Sequence, residues 1–552
     1  HPRTTLDTTL ETARARIAEG GVDLASLLVG ALSRLPVRPD LLPAVQAALR
    51  AFRLLAGTAL ASRRRDEVVA HGVRLGLPIA PVHRPEEFVT TEQTRVRGFF
   101  RRTGFTYLEH APVAPFPCNL SATPVVLGRR APAPGEDTGG FAPREHQITV
   151  GPEDARPPLA GLRVVSLGVG AVVPELCTTL RDLGAEVVKI ESARSPDFLR
   201  RLTVDLASPN GSFMFNDENR GQRSCCIDLS TVAGRALALR LCATADIVAE
   251  NRQGGLVDRL GLGYEAVRAL RADVIYVSSQ GYGRGGPLGA APAYGPMAAA
   301  FAGATWLWNH PDAPYPAGSS LEHPDHFAGR LLAVAVLAAL EHRARTGEGQ
   351  YVELAQSEAA AFLLGHVYLQ EPCTGRPAAQ GGNAAEDACP HGVYPARGDD
   401  RWIAIAVADD GAWVCLCHLL AWKPEERLAT LPGRLVARHE IDARVVAWTS
   451  THTAEEATAR LQAAGVSAFP VQGPDDHRVD PHLAARGALV TLEDPDVGEV
   501  RHVGSPFRLS ATPISPPRPA PRLGADTEDV LVRMLGLTPD EVRRLKGEGV
   551  CR

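Results

Sequence analysis

The sequence predicts an α/β fold: a doubly wound parallel sheet with a smaller α+β domain attached. Three observations lead there. At 552 residues the chain is too long for one compact core. From residue 159 to 278, short β-type runs alternate with helix-spaced segments, which is the signature of a parallel sheet covered by helices. Past Glu371 the pattern becomes loop-rich, and a separate set of strand and helices follows.

The elements come in a clear order. Arg163–Leu167 is a strand, broken by Gly168 and Gly170. Val173–Asp182 has helical spacing, and Glu186–Glu191 is a second strand. Strand Cys225–Leu229, helix Val232–Thr244, strand Asp246–Glu250, helix Tyr264–Ala272 and strand Val274–Ser278 follow. A long apolar helix then begins around Asp325 and stops at the Gly-rich Thr346-Gly347-Glu348-Gly349. Gly381-Gly382-Asn383 opens the loop-rich region, and Trp402–Val407 is its strand. The chain turns Pro-rich from Gly504 and ends in a helix over Thr527–Leu537 and another from Pro539. Ligands of such sheets bind at the carboxyl ends of the strands.

One internal repeat stands out. Shifted by 389 residues, the segment 66–138 matches 455–527 without a gap. Gly76 meets Gly465, Arg97-Gly98 meets Arg486-Gly487, and Leu120-Ser-Ala-Thr-Pro124 recurs as Leu509-Ser-Ala-Thr-Pro513. The period is far too long for a solenoid. It implies a duplicated module, with 1–140 a partial duplicate, 141–157 a linker, 158–370 the large domain, 371–500 the small domain and 501–552 a return segment.

Composition excludes several classes. Apolar content of 45% with 22% charged residues suits a soluble globular protein. The net charge is −5 with scattered basic residues, so no nucleic-acid partner is expected. The apolar run Leu331–Leu340 is too short to span a bilayer, and no membrane partner is expected. Ten cysteines without a paired CxxC fit reduced thiols in a cytoplasmic protein.

The chemistry-bearing motifs are few. Gly168-Val169-Gly170 after a strand, with Glu191 ending the next, suggests a dinucleotide fingerprint, but the third glycine position is Val173. His323 and His326 flank Asp325, yet neighbouring helix positions point different ways, so no metal site is expected. Asp325 itself has two readings. A carboxylate at a helix start is an ordinary cap. It is also a nucleophile held as the anion by the helix dipole.

The motifs Leu183-Gly-Ala-Glu-Val-Val-Lys-Ile-Glu191, Asn219-Arg220 with Arg223-Ser224, Glu250-Asn-Arg252, Arg259-Leu-Gly-Leu-Gly-Tyr264 and Tyr276–Pro287 occur in order. Together with Asp325 and Thr346–Gln350 they resemble the family III CoA-transferases, a group that includes formyl-CoA and carnitine CoA-transferases and α-methylacyl-CoA racemases. The resemblance covers nearly all of 158–552. It implies a Rossmann-like large domain, an interlocked-ring fold, and coenzyme A or acyl-CoA as substrate, with no cofactor bound permanently. By resemblance Asp325 is the nucleophile, Arg259 a coenzyme A contact and Tyr294 a residue near the thioester. Gly381 and Gly382 stand for the family's oxyanion loop. Arg194 and Arg200 are phosphate partners on geometry alone. Arg259 could instead pair with Asp258 or Glu265, and Tyr294 could be core.

The expected activity is transfer of coenzyme A between an acyl-CoA and a carboxylic acid through an aspartyl acyl anhydride. Racemisation at the α-carbon is the alternative within the family. It needs a histidine where this chain has Ala293-Tyr294-Gly295. Gly295 stands where formyl-CoA transferase has a glutamate, which argues against formyl and oxalyl substrates. A non-catalytic scaffold is the alternative outside enzymology. Assembly is expected as a homodimer or, given the repeat, an intramolecular pseudo-dimer.

Overall fold

In the computed structural model, residues 60–105, 108–140, 156–201, 208–310 and 323–551 are described. The first part of the expected 1–140 segment, most of 141–157 and much of the 306–320 loop lie outside them. The chain divides into two units.

The first unit, 1–304 with 320–377 and 490–552, is built on a seven-stranded sheet. Its strands are β1 (Cys118–Leu120), β2 (Arg163–Ser166), β3 (Glu186–Glu191), β4 (Arg223–Cys226), β5 (Ile247–Glu250), β6 (Ile275–Gln280) and β7 (Gln350–Ala355). The order is β1-β7-β6-β5-β2-β3-β4. All neighbours are parallel except β1, which runs antiparallel to β7. The chain winds outward from β2 through β3 to β4, then returns to β5 on the other side of β2. That reversal between β2 and β5 is the switch point where an open parallel sheet leaves a crevice.

The strand ends shift from the sequence expectation, most of all at β4 and β6. Strand β4 ends at Cys226 rather than Leu229, because the Asp228 carboxylate accepts from the Ser230 N–H at 2.9 Å and closes a turn. Strand β6 runs two residues past Ser278, because Ser279 and Gln280 stay in register with Leu354 and Ala355 of β7.

Helices cover both faces. One face packs Val164, Ile247, Ile275, Val277, Val352 and Leu354 against α1 (Val172–Asp182) and α2 (His323–Thr346). Gly329 permits the close crossing of these helices: a Cβ there would sit 2.8 Å from Glu175 Cβ and 2.9 Å from the Val172 carbonyl. Helix α2 is not buried all round, since Val334 and Leu337 are exposed. The opposite face packs Val165, Val188, Val248 and Tyr276 under the C-terminal helices. Asp526 accepts from the Ser224 N–H at 2.9 Å and Thr527 Oγ1 from the Cys226 N–H at 2.9 Å, tying that segment to β4.

The described part of 60–140 also packs on this unit. Strand β1 lengthens the sheet, and Arg97 reaches Glu353 and Glu358 with contacts of 2.5–3.0 Å.

The second unit, 305–319 with 378–489, holds a three-stranded antiparallel sheet of His391–Pro395, Trp402–Ala406 and Ser467–Pro470. Its helices cover one face around Trp413, Leu416, Ile441 and Leu461. The units divide at 378 and 490, somewhat inside the 371 and 501 bounds expected. Tyr368 stays with the first unit because it packs beside Phe88 and Phe301 and donates to the Ala302 carbonyl at 2.6 Å. No described helix is long and apolar enough to cross a membrane.

Candidate active site

The carboxyl ends of β2, β5 and β6 converge on a cavity of about 90 Å³, next to the switch point. Residues 169–171 form one wall, Asn251 and Ser279–Gly281 the sheet side, and Phe198, Leu199, Ala293, Tyr294, Asp325 and Gln356 the rest.

The turn after β2 is fixed before any ligand arrives. Asn251 accepts from the Val169 N–H at 2.8 Å and donates to its carbonyl at 2.7 Å. The Gly170 N–H lies 3.2 Å from both Asp197 carboxylate oxygens. Asp197 is paired with Lys189 at 2.9 Å, both fully buried. Gly170 has φ of +70°, and a Cβ there would meet the Phe198 ring at 3.0 Å. These amides are committed to side chains, so they do not form the open cradle that a pyrophosphate needs.

Asp325 is the third residue of α2, in its first turn, and is 7% exposed. The helix dipole there favours a negative charge. Gln356, the first residue after β7, donates its Nε2 to Asp325 Oδ1 at 2.5 Å. A polar residue just past a parallel strand is a readable signal, but Gln356 falls in none of the motifs named above.

His326 sits beside Asp325 and faces two other carboxylates. Its ring nitrogens lie 3.5 Å from Glu175 and 3.6 Å from Glu218. Its pKa is raised to about 9, chiefly by Glu175, with Glu218 and Asp325 adding to the effect against partial burial. The ring is therefore a cation at neutral pH. Glu175, Glu218 and His326 have metal-ligand types within 4.8 Å of one another. Arg330 also pairs with Glu175, so two cations balance the two glutamates.

The remaining predicted residues divide. Tyr294 lines the cavity, 48% exposed, its ring edge-on to Phe198 at 6.0 Å. It is not core. Arg259 is exposed on the short helix Leu256–Arg259. Its expected alternative partner Asp258 pairs instead with Arg284 at 2.6 Å. Arg194 is exposed. Arg200 is corrected: it is 1% exposed, binds Glu191 through two contacts of 2.7 and 2.9 Å, and lies 3.6 Å over the Phe215 ring. With further bonds to Asn210 and the Pro521 carbonyl, its donors are spent inside the protein and are not offered to a phosphate. Gly381 and Gly382 belong to the second unit. Gly382 has φ of +56° and lines an open cavity of about 480 Å³ on the three-stranded sheet.

The chain matches the family model described as CoA-transferase family III over residues 44–138 and 159–527. It is 33% identical over 545 residues to a probable CoA-transferase of Mycobacterium tuberculosis, covering 93% of this chain and 65% of that protein. The chain thus spans about two thirds of that relative's length. It is 32% identical over 390 residues to the succinate–glutarate CoA-transferase of Agrobacterium fabrum, covering 69% of this chain and 96% of that one. Among solved structures, a CaiB/BaiF family protein from Brucella suis superposes with a TM-score of 0.63 at 30% identity, over 69% of this chain and all of that one.

Proposed function

The chain belongs to CoA-transferase family III, and from that premise we propose that it moves coenzyme A from an acyl-CoA thioester to a carboxylic acid with Asp325 as nucleophile. One observation carries the reading. A buried carboxylate at a helix N-terminus lines a cavity at the carboxyl ends of the parallel strands, with an amide donor 2.5 Å from one oxygen.

The chemistry needs no proton transfer. An Asp325 oxygen attacks the thioester carbon; a C–O bond forms, the C–S bond breaks, and the thiolate leaves with the electron pair. The product is a mixed anhydride. The thiolate returns to the aspartyl carbonyl carbon and expels the donor acid as its carboxylate, leaving an aspartyl thioester. The acceptor carboxylate then runs the same two steps in reverse and frees Asp325. Splitting the transfer this way replaces one hard exchange by easier ones.

The neighbours suit that sequence. Gln356 holds one oxygen of Asp325, and its amide carries a second N–H able to meet the oxyanion of a tetrahedral intermediate. His326, facing Glu175 and Glu218, keeps those two carboxylates from adding negative charge beside the attacking group. Arg259, exposed at the surface, is assigned to the phosphates of coenzyme A, and Tyr294 to the thioester end. A racemase needs two bases on opposite faces of the α-carbon. Among the described residues lining this cavity, Asp325 alone is a carboxylate and no histidine joins it.

The test is covalent. Incubation with an acyl-CoA followed by borohydride or hydroxylamine is expected to change the mass of the peptide that carries Asp325. Asp325→Asn is expected to abolish the adduct and to lower exchange by on the order of 10³-fold or more. Full turnover by the asparagine variant would overturn the assignment.

A further inference from the structure

One polar group in the cavity is left without a task by the mechanism. Ser279 is 1% exposed, and its Oγ meets no hydrogen-bonding partner among the described residues. Buried hydroxyls are nearly always paired, so an orphan inside a cavity points to a ligand atom.

The direction of this side chain follows from the sheet. Side chains alternate faces along a strand. On β6, Ile275 and Val277 pack toward α1 and α2, while Tyr276 packs toward the C-terminal helices. Ser278 goes with Tyr276, and its hydroxyl binds Glu250. Ser279 therefore continues the Ile275–Val277 face, which is the face of Asp325. Its partner in register on β7 is Leu354, two residues before Gln356. Ser279, Gln356 and Asp325 thus share one side of the sheet and one cavity.

We propose that Ser279 selects a short acyl group bearing a hydroxyl, which its Oγ hydrogen-bonds while Asp325 attacks the thioester carbon. The proposal rests on the nucleophile assignment above. Size favours a short chain, since the cavity measures only about 90 Å³. Charge favours a neutral group: among the described residues lining the cavity none is cationic, so a second carboxylate would enter beside Asp325 uncompensated. A hydroxyl suits Ser279, because two hydroxyls can each donate and accept. The thioester carbonyl is served by Gln356, which leaves Ser279 for the substituent.

The experiment measures the rate of covalent labelling at Asp325 in the full chain with two matched pairs, lactoyl-CoA against propionyl-CoA and 3-hydroxybutyryl-CoA against butyryl-CoA. In at least one pair the hydroxylated member is expected to react about tenfold faster or more, because its analogue leaves Ser279 unpaired. Ser279→Ala is expected to bring that ratio to about one by slowing the hydroxylated member alone. The variant removes an unpaired hydroxyl, so its melting temperature should not fall. Equal rates within both wild-type pairs, a ratio unchanged in Ser279→Ala, or equal slowing of all four thioesters overturns the proposal and leaves the nucleophile standing. Labelling by none of the four overturns the nucleophile and this inference with it.

Discussion

The two copies of the repeated segment share local structure and differ in what surrounds them. Shifted by 389 residues, helices Arg65–Arg74, Pro85–Thr90 and Glu92–Arg97 fall on Ala454–Ala463, Pro474–Val479 and Pro481–Arg486. The glycines that end the third helix match too, Gly98 at φ +62° and Gly487 at +60°. The environments then part. Arg97 is buried between Glu353 and Glu358, while Arg486 is exposed. Leu120 lies in β1 against β7 at 8% exposure, while its counterpart Leu509 is 39% exposed and in no strand. Helices and caps are thus written in nearby residues, but burial is conferred by the surface a segment meets.

The largest expected effect breaks that comparison at its arginines. Arg97→Ala strands Glu353 and Glu358, both buried, without their cation. Removing one partner of a buried pair costs about 3–5 kcal/mol, so chemical denaturation should show a marked loss. Arg486→Ala should stay within about 0.5 kcal/mol, as exposed substitutions do. Similar losses for the two variants would mean that environment does not separate the copies.

A smaller effect tests what the copies share. Gly98→Ala and Gly487→Ala each force a side chain into left-handed backbone, at about 1–2 kcal/mol. A Cβ at either position meets nothing within 4 Å. The two costs should therefore match. A difference above about 0.5 kcal/mol, the scatter expected of independent sites, would show that tertiary context reaches even these caps.

The same distinction explains what the sequence disclosed about the site. The alternation of strands and helices, the Glu186–Glu191 strand and the place of Asp325 in the first turn of its helix follow from local pattern. The role of Arg200 did not, because Glu191 and Phe215 capture it only once β3 and the following segment have packed. Gln356 and Ser279 were missed for a related reason. Their importance comes from β6 and β7 lying side by side, so that two strand ends distant in sequence face one cavity. The dinucleotide motif failed in the same way: Asn251 and Asp197, remote from Gly168, take up the backbone amides that such a motif would present.

The smallest effect belongs to neither copy and serves as their control. His326 has its pKa raised to about 9 by Glu175 and Glu218, against an ordinary value of about 6.5. The folded state thus binds this proton more tightly than the unfolded chain. The stabilisation it adds is fully present below pH 6.5 and is lost as pH rises through about 9. The ring is half exposed, so solvent screens the pairs and the change is modest. Stability should therefore decline slightly across that window in the unaltered protein, and His326→Gln should remove that part of the decline. Since His326 touches neither arginine, Arg97→Ala and Arg486→Ala should each retain it. A decline that vanishes with Arg97→Ala would instead trace the titration to the buried Glu353 and Glu358, outside the helix that carries Asp325.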